Sequence, residues 1–97
     1  MNYAIIKKLR PLLKGAKLAY LFGSYVNGMD DEYSDLDLLI VKETNEDFFH
    51  RFKEFTALYN LDVPIDLLVY TPEEFAEMRQ NKNPLILDII ENGVKII

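Results

Sequence analysis

The sequence contains no cysteine and only one histidine, His50. Disulfide bonds, thiol nucleophiles and the usual zinc sites, which need several Cys or His ligands, are therefore excluded. A serine hydrolase centred on Ser24 is disfavoured as well, because His50 is a poor candidate for the base that such a serine needs. The lack of disulfide chemistry favours a cytoplasmic location.

Long apolar runs and an excess of positive charge are also missing. The apolar runs stop well short of the roughly 20 residues that cross a bilayer, and no signal peptide is visible, so no membrane association is expected. The formal net charge of -5 argues against direct nucleic-acid binding, since phosphate contacts depend on clustered Lys and Arg. The 97 residues are enough for one domain, which we expect to span 1–97.

The hydrophobic pattern alternates between helical and strand periods and predicts an α/β (α+β) fold with a small mixed sheet of about four strands packed with helices. We expect helices over residues 2–14 and 44–60, strands over 17–22, 35–41, 63–70 and 94–97, and two further helices that begin after Thr71 and Asn83. In the helix over 44–60, the stripe of Phe48, Phe52, Phe55 and Tyr59 is expected to pack in the core.

Two carboxylates stand at the start of the second predicted strand, and a Gly-Ser pair follows the first. Asp35 and Asp37 are two residues apart, so an extended strand presents both side chains on one side, with Cα atoms about 7 Å apart. No Lys or Arg occurs between Lys17 and Lys42 to neutralise them locally. A hard divalent cation such as Mg²⁺ is therefore expected here, because it takes oxygen ligands.

A third acid, Asp66, lies in the apolar run "VPIDLLVY" and joins the pair if that strand is a neighbour. Three acids suit two cations, which can activate an attacking hydroxyl and stabilise a leaving phosphate. Gly23 permits a tight turn close to a ligand, and Ser24 offers a hydroxyl and backbone N-H groups to phosphate. Each of these features alone is weak evidence for a functional site, because a Gly-Ser turn and a pair of solvated loop acids are common.

The combination is more specific. The pattern resembles the signature of the minimal nucleotidyltransferase domain of the DNA polymerase beta superfamily, which is Gly-Ser, ten residues and then Asp-x-Asp. In this chain the signature is formed by Gly23 and Ser24, residues 25–34, and Asp35 and Asp37. The resemblance covers nearly the whole chain, including Asp66 and the terminal stretch "NPLILDIIENGVKII".

This resemblance implies the nucleotidyltransferase fold and transfer of a nucleoside monophosphate, AMP from ATP or another nucleotide from its triphosphate, to a hydroxyl, with Mg²⁺ required. It implies that Asp35, Asp37 and Asp66 are the catalytic and metal-binding residues, that Asp66 helps activate the acceptor, and that Gly23 and Ser24 bind the nucleotide. Free-standing domains of this size resemble antitoxins whose partner is a helical HEPN-domain toxin, so the implied acceptor is a tyrosine of that toxin.

One difference from the family motif bears on the expected activity more than on the expected fold. Many members of the family have Gly-Ser-x-Ala-Arg-Gly, whereas this chain has "GSYVNG", with Val26 and Asn27 in place of Ala and Arg. Two alternatives to a protein-modifying enzyme stay open: a non-catalytic module that neutralises its partner by occlusion, and a subunit that modifies a small molecule. Presence of all three acids favours catalysis.

Overall fold

A computed structural model of the chain describes residues 4–26 and 35–97. In chain order the elements are α1 (Ala4–Leu9), a 3-10 turn (Arg10–Leu12), β1 (Leu18–Phe22), β2 (Leu36–Val41), a 3-10 helix (Phe48–Asn60), β3 (Ile65–Tyr70), α2 (Pro72–Gln80), α3 (Pro84–Asn92) and β4 (Val94–Lys95). The predicted order of helices and strands is confirmed. Residues 2 and 3 of the first predicted helix and Asn27, which stands where many members of the resembled family have Arg, lie outside the described residues.

The strands form one mixed sheet in the order β3-β2-β1-β4, which confirms the predicted sheet. β1 runs antiparallel to both β2 and β4, whereas β2 and β3 are parallel. Parallel neighbours need a crossover connection, and the 3-10 helix lies in the segment that supplies it. The sheet therefore brings the end of β1 and the starts of β2 and β3 to one edge.

β2 lies at the centre of two hydrophobic cores, one on each face of the sheet. Leu36, Leu38 and Ile40 belong to the first core, together with residues of α1 and the 3-10 helix. Leu39 and Val41 belong to the second, which also contains residues of α2 and α3. All five side chains are at most 2% exposed. This burial on both faces explains why residues 38–41 of β2 are all apolar rather than alternating between apolar and polar.

The two C-terminal helices begin where the sequence predicts. Thr71 accepts a hydrogen bond from the Glu74 backbone N-H at 3.1 Å, and the Glu74 carboxylate accepts one from the Thr71 N-H at 2.8 Å. The Asn83 side chain accepts hydrogen bonds from the first N-H groups of α3. Each cap satisfies donors that have no partner within the helix, so both starts are local properties of the sequence.

The aromatic stripe over residues 48–59 is arranged differently from the prediction. The segment is a 3-10 helix with a non-helical residue at Phe55, where φ is -132°. Phe55 is 2% exposed as expected, but Phe52 and Tyr59 are 43% and 49% exposed, so the prediction that they pack in the core is wrong. A 3-10 helix has three residues per turn, and with the kink the α-helical spacing no longer selects one face.

Arg51 is the one charged residue that is buried among the described residues, at 6% exposure. Its guanidinium donates to Glu74 Oε1 at 2.5 Å, to the Val69 carbonyl at 3.0 Å and to the Glu46 carbonyl at 2.9 Å. It thereby joins the 3-10 helix to β3 and to the start of α2. Because the Glu74 side chain is 42% exposed, water screens this ion pair, and its loss is expected to cost less than the loss of a fully buried pair.

Within the two described ranges, every helix is too short or too polar to span a bilayer.

We predict that the Arg51–Glu74 pair makes stability fall in acid. The hydrogen bonds from Arg51 hold the pKa of Glu74 below its usual range. A carboxylate with a lowered folded-state pKa contributes stability above its unfolded pKa, near 4.5, and loses it as pH falls through the folded value. Glu74→Gln should therefore lower the free energy of unfolding by about 1 kcal/mol at neutral pH and flatten its decline below about pH 5.

Urea denaturation of both proteins between neutral and acid pH measures this difference. Glu73→Gln is the matched control, because Glu73 is an exposed acid in the same helical turn. An acid slope equal to that of the parent in Glu74→Gln would contradict the assignment.

Candidate active site at the edge of the sheet

Strand register brings the predicted acids together. Asp37 lies directly opposite Asp66 in the parallel pair of β2 and β3. On its other side Asp37 lies opposite Phe22, the last residue of β1, which Gly23 and Ser24 follow. We call the group of Gly23, Ser24, Asp35, Asp37 and Asp66 the carboxylate edge.

The carboxylates of Asp37 and Asp66 project from one face of the sheet. Side chains alternate along a strand, so Asp37 shares its face with Leu39, and Asp66 shares its face with Leu68. Leu39 and Leu68 both belong to the second core, against which α2 and α3 pack. The two acids therefore lie on the same face of the sheet as the second core, just beyond its apolar residues, at the end of the sheet that is in contact with solvent.

Electrostatics couples the three acids. Partial burial raises the pKa of Asp37, and the negative charge of Asp66, a hydrogen bond between the two side chains and the charge of Asp35 raise it further. A hydrogen bond between two carboxyl groups requires a proton on one of them, since a carboxylate only accepts. Asp37 thus lies where a second negative charge is unfavourable and where a cation would be stabilising.

Gly23 is required by the packing around Asp37. Its φ of +82° is in the region that favours glycine, and a Cβ at this position would overlap Asp37 Oδ2. The turn that follows is closed by a hydrogen bond from the Val26 N-H to the Gly23 carbonyl at 3.1 Å. Ser24 in this turn is exposed, so its hydroxyl is accessible to a ligand.

The structure brings Gly23, Asp37 and Asp66 into direct proximity, and Asp35 acts on Asp37 through its charge. No role for Phe22 is predicted from the sequence. Its half-buried ring lies on the face of the second core and opposite Asp37, so it forms part of the apolar surface beside the carboxylate. Its position directly before the Gly-Ser pair was the only available signal.

The donor set fits a hard divalent cation, because three carboxylates supply only oxygen ligands and the coupling of Asp37 to Asp35 and Asp66 would be relieved by positive charge. Within residues 4–26 and 35–97, no three His, Cys, Asp or Glu side chains are already grouped so as to hold a metal ion. Metal ligation by all three acids stays a prediction.

The chain is similar to several known proteins. A curated relative from Haemophilus influenzae, described as "Probable protein adenylyltransferase MntA", is 38% identical over 79 residues, which are 77% of this chain and 69% of the relative. A crystal structure of a toxin–antitoxin with AMP-PNP matches the whole chain and 73% of its own chain at 27% identity and a TM-score of 0.65. A mutant of the toxin–antitoxin MntA-HpeT matches over the same shares at 24% identity and a TM-score of 0.61, and supports the fold alone.

The family model described as "Polymerase beta, Nucleotidyltransferase" matches residues 5–97, so the match includes both strands that carry the acids and the Gly-Ser turn. The chain belongs to the polymerase beta type of nucleotidyltransferases.

Proposed function

We propose that the chain is the antitoxin of a toxin–antitoxin pair and transfers AMP from ATP to a tyrosine hydroxyl of a cognate HEPN-domain toxin. The observation that carries this proposal is the placement of Asp37 opposite Asp66 and against Gly23 at one edge of the sheet. The names of the relatives support the finer statements, since one is described as a protein adenylyltransferase and another is a toxin–antitoxin with AMP-PNP.

Each residue of the carboxylate edge has a role in this proposal. Gly23 and Ser24 hold the triphosphate, and Asp35, Asp37 and Asp66 hold Mg²⁺, with two ions expected. The bound cation supplies charge neutralisation at the phosphate oxygens. Asp66, which is exposed, also accepts the proton of the acceptor hydroxyl. The acceptor oxygen forms a bond to the α-phosphorus, the bond to the β-phosphate oxygen breaks, and pyrophosphate leaves.

The direct test is incubation of the purified chain with Mg²⁺, each of the four labelled nucleoside triphosphates and the co-purified partner. Transfer of label from ATP to the partner is expected, and mass spectrometry should locate AMP on a tyrosine. If the partner is inhibited but never labelled, the chain acts by occlusion. If a small molecule such as an aminoglycoside is labelled instead, the acceptor is not a protein.

We predict that Asp66→Asn separates nucleotide binding from chemistry. Gly23, Ser24, Asp35 and Asp37 still hold the nucleotide, so its dissociation constant should stay within about tenfold, or about 1.4 kcal/mol. Loss of the group that accepts the proton should slow transfer by about a hundredfold or more. Single-turnover transfer at saturating ATP and partner gives the rate, and calorimetry gives the affinity. Equal rates for Asp66→Asn and the parent would remove Asp66 from the site.

A second prediction concerns metal binding without reference to activity. Mg²⁺ should raise the melting temperature of the chain, and Mg²⁺ with ATP should raise it further, because a ligand that binds only the folded state at a hundred times its dissociation constant adds about 2.7 kcal/mol. Replacing Asp35 and Asp37 with Asn should abolish the Mg²⁺ shift and leave the fold intact, since relief of like-charge repulsion offsets the change.

Glu73→Gln is again the control, because it removes one exposed negative charge at the start of α2, which follows the end of β3 opposite to Asp66. A double variant that unfolds would make the two acids structural, and an Mg²⁺ shift that survives in it would place the metal elsewhere.

A further inference from the structure

A pocket of about 450 Å³ lies behind the carboxylate edge, between α1 and the residues that lead from the 3-10 helix into β3. Ile5, Tyr25 and Val63 line it, and these three side chains pack against the first core. Asp37 and Asp66 project on the opposite face, with the second core. The pocket is therefore separate from the carboxylate edge, although Tyr25 comes only two residues after Gly23.

The lining combines an apolar floor with a polar rim. Ile5, Leu61 and Val63 supply the aliphatic floor, and the half-buried ring of Tyr25 supplies an aromatic wall. Three exposed polar side chains complete the pocket, namely Lys8, Asn60 and Asp62.

The charges of the rim argue for a neutral ligand. The ammonium of Lys8 and the carboxylate of Asp62 sum to zero, and Asp62 disfavours a phosphate or another anion. Lys8 only donates hydrogen bonds, Asp62 only accepts them, and the Asn60 amide does both. A ligand that matches this rim carries donors and acceptors, and a flat ring makes use of the Tyr25 wall by stacking.

The volume agrees with a small molecule rather than with one inserted side chain, because small-molecule pockets occupy about 300–1,000 Å³. From these observations we propose that the pocket is a second binding site of the chain and takes a neutral nucleoside or nucleobase. The ring stacks on Tyr25 above the aliphatic floor, and its donors and acceptors pair with Asn60, Asp62 and Lys8.

The backbone connects this pocket to two segments of the carboxylate edge, the turn after β1 and the start of β3. Tyr25 belongs to the turn that Gly23 opens, and Val63 precedes Pro64, whose carbonyl accepts a hydrogen bond from the Leu36 N-H at 2.9 Å. A bound ring therefore contacts the turn that follows β1 and the segment that leads into β3.

Adenosine tests the proposal, because it has the ring and no phosphate. Titration into the ¹⁵N-labelled chain should shift the amide signals of residues 60–63 and of Lys8 and Tyr25 in a saturable way. Tyr25→Ala and Asn60→Ala should each weaken binding, by about tenfold for the stacking residue. Asn60 is exposed, so its variant is expected to fold even if Tyr25→Ala does not.

Tyr59→Ala is the matched control, since Tyr59 is an exposed tyrosine next to Asn60 that does not line the pocket. Adenosine should bind this variant normally. Adenosine should also bind the double variant Asp37→Asn, Asp66→Asn. This result would show that binding in the pocket does not depend on the proposed catalytic carboxylates. The proposal is overturned if adenosine produces no saturable shifts or if the shifts need the two carboxylates. It is also overturned if toluene, a ring without hydrogen-bonding groups, binds equally well.

Discussion

The parallel pairing of β2 with β3 is the constraint on which the rest of the site depends. It places Asp37 beside Asp66, while the antiparallel pairing with β1 places Gly23 against the same carboxylate. Because side chains alternate along a strand, a slip of one residue in β2 would turn Asp37 into the first core and Leu38 toward the solvent edge. Such a slip would bury the Asp37 carboxylate in an apolar core, which is costly, so the core determines where the charges lie.

The carboxylates are tolerated because they occupy the end of the buried strand rather than its middle. Asp37 is half-buried and its pKa is raised, whereas the next two residues of β2, Leu38 and Leu39, are fully buried. Asp66 is exposed on the edge strand, where water screens its charge. The unfavourable interaction is thus limited to the group of side chains to which we assign the chemistry, a common feature of functional sites.

The crossover between β2 and β3 shows how tertiary contacts override a helical pattern. Arg51 reaches from the 3-10 helix to Glu74 and to the Val69 carbonyl, and Phe55 enters the first core at the kink. Holding both residues in place leaves Phe49 and Phe52 exposed, at 82% and 43%. The same segment ends at residues 60–63, which line the pocket behind the carboxylate edge. One connection therefore positions β3 for the site and shapes the opposite face of the sheet.

Much of this protein follows from its sequence because the signals involved are local. The caps at Thr71 and Asn83 depend on hydrogen bonds within one helical turn, and β1 and β3 follow from short apolar runs bounded by glycine or proline. The Gly-Ser pair and the spacing to Asp35 and Asp37 likewise predicted the family, which the match over residues 5–97 shows. Three features depend on contacts between distant segments: the proximity of Asp66 to Asp37, the outward position of Phe52 and Tyr59, and the pocket behind Tyr25. Strand order, the kink at Phe55 and the gap beside α1 are decided by how elements pack, and periodicity within one segment carries no information about its neighbours.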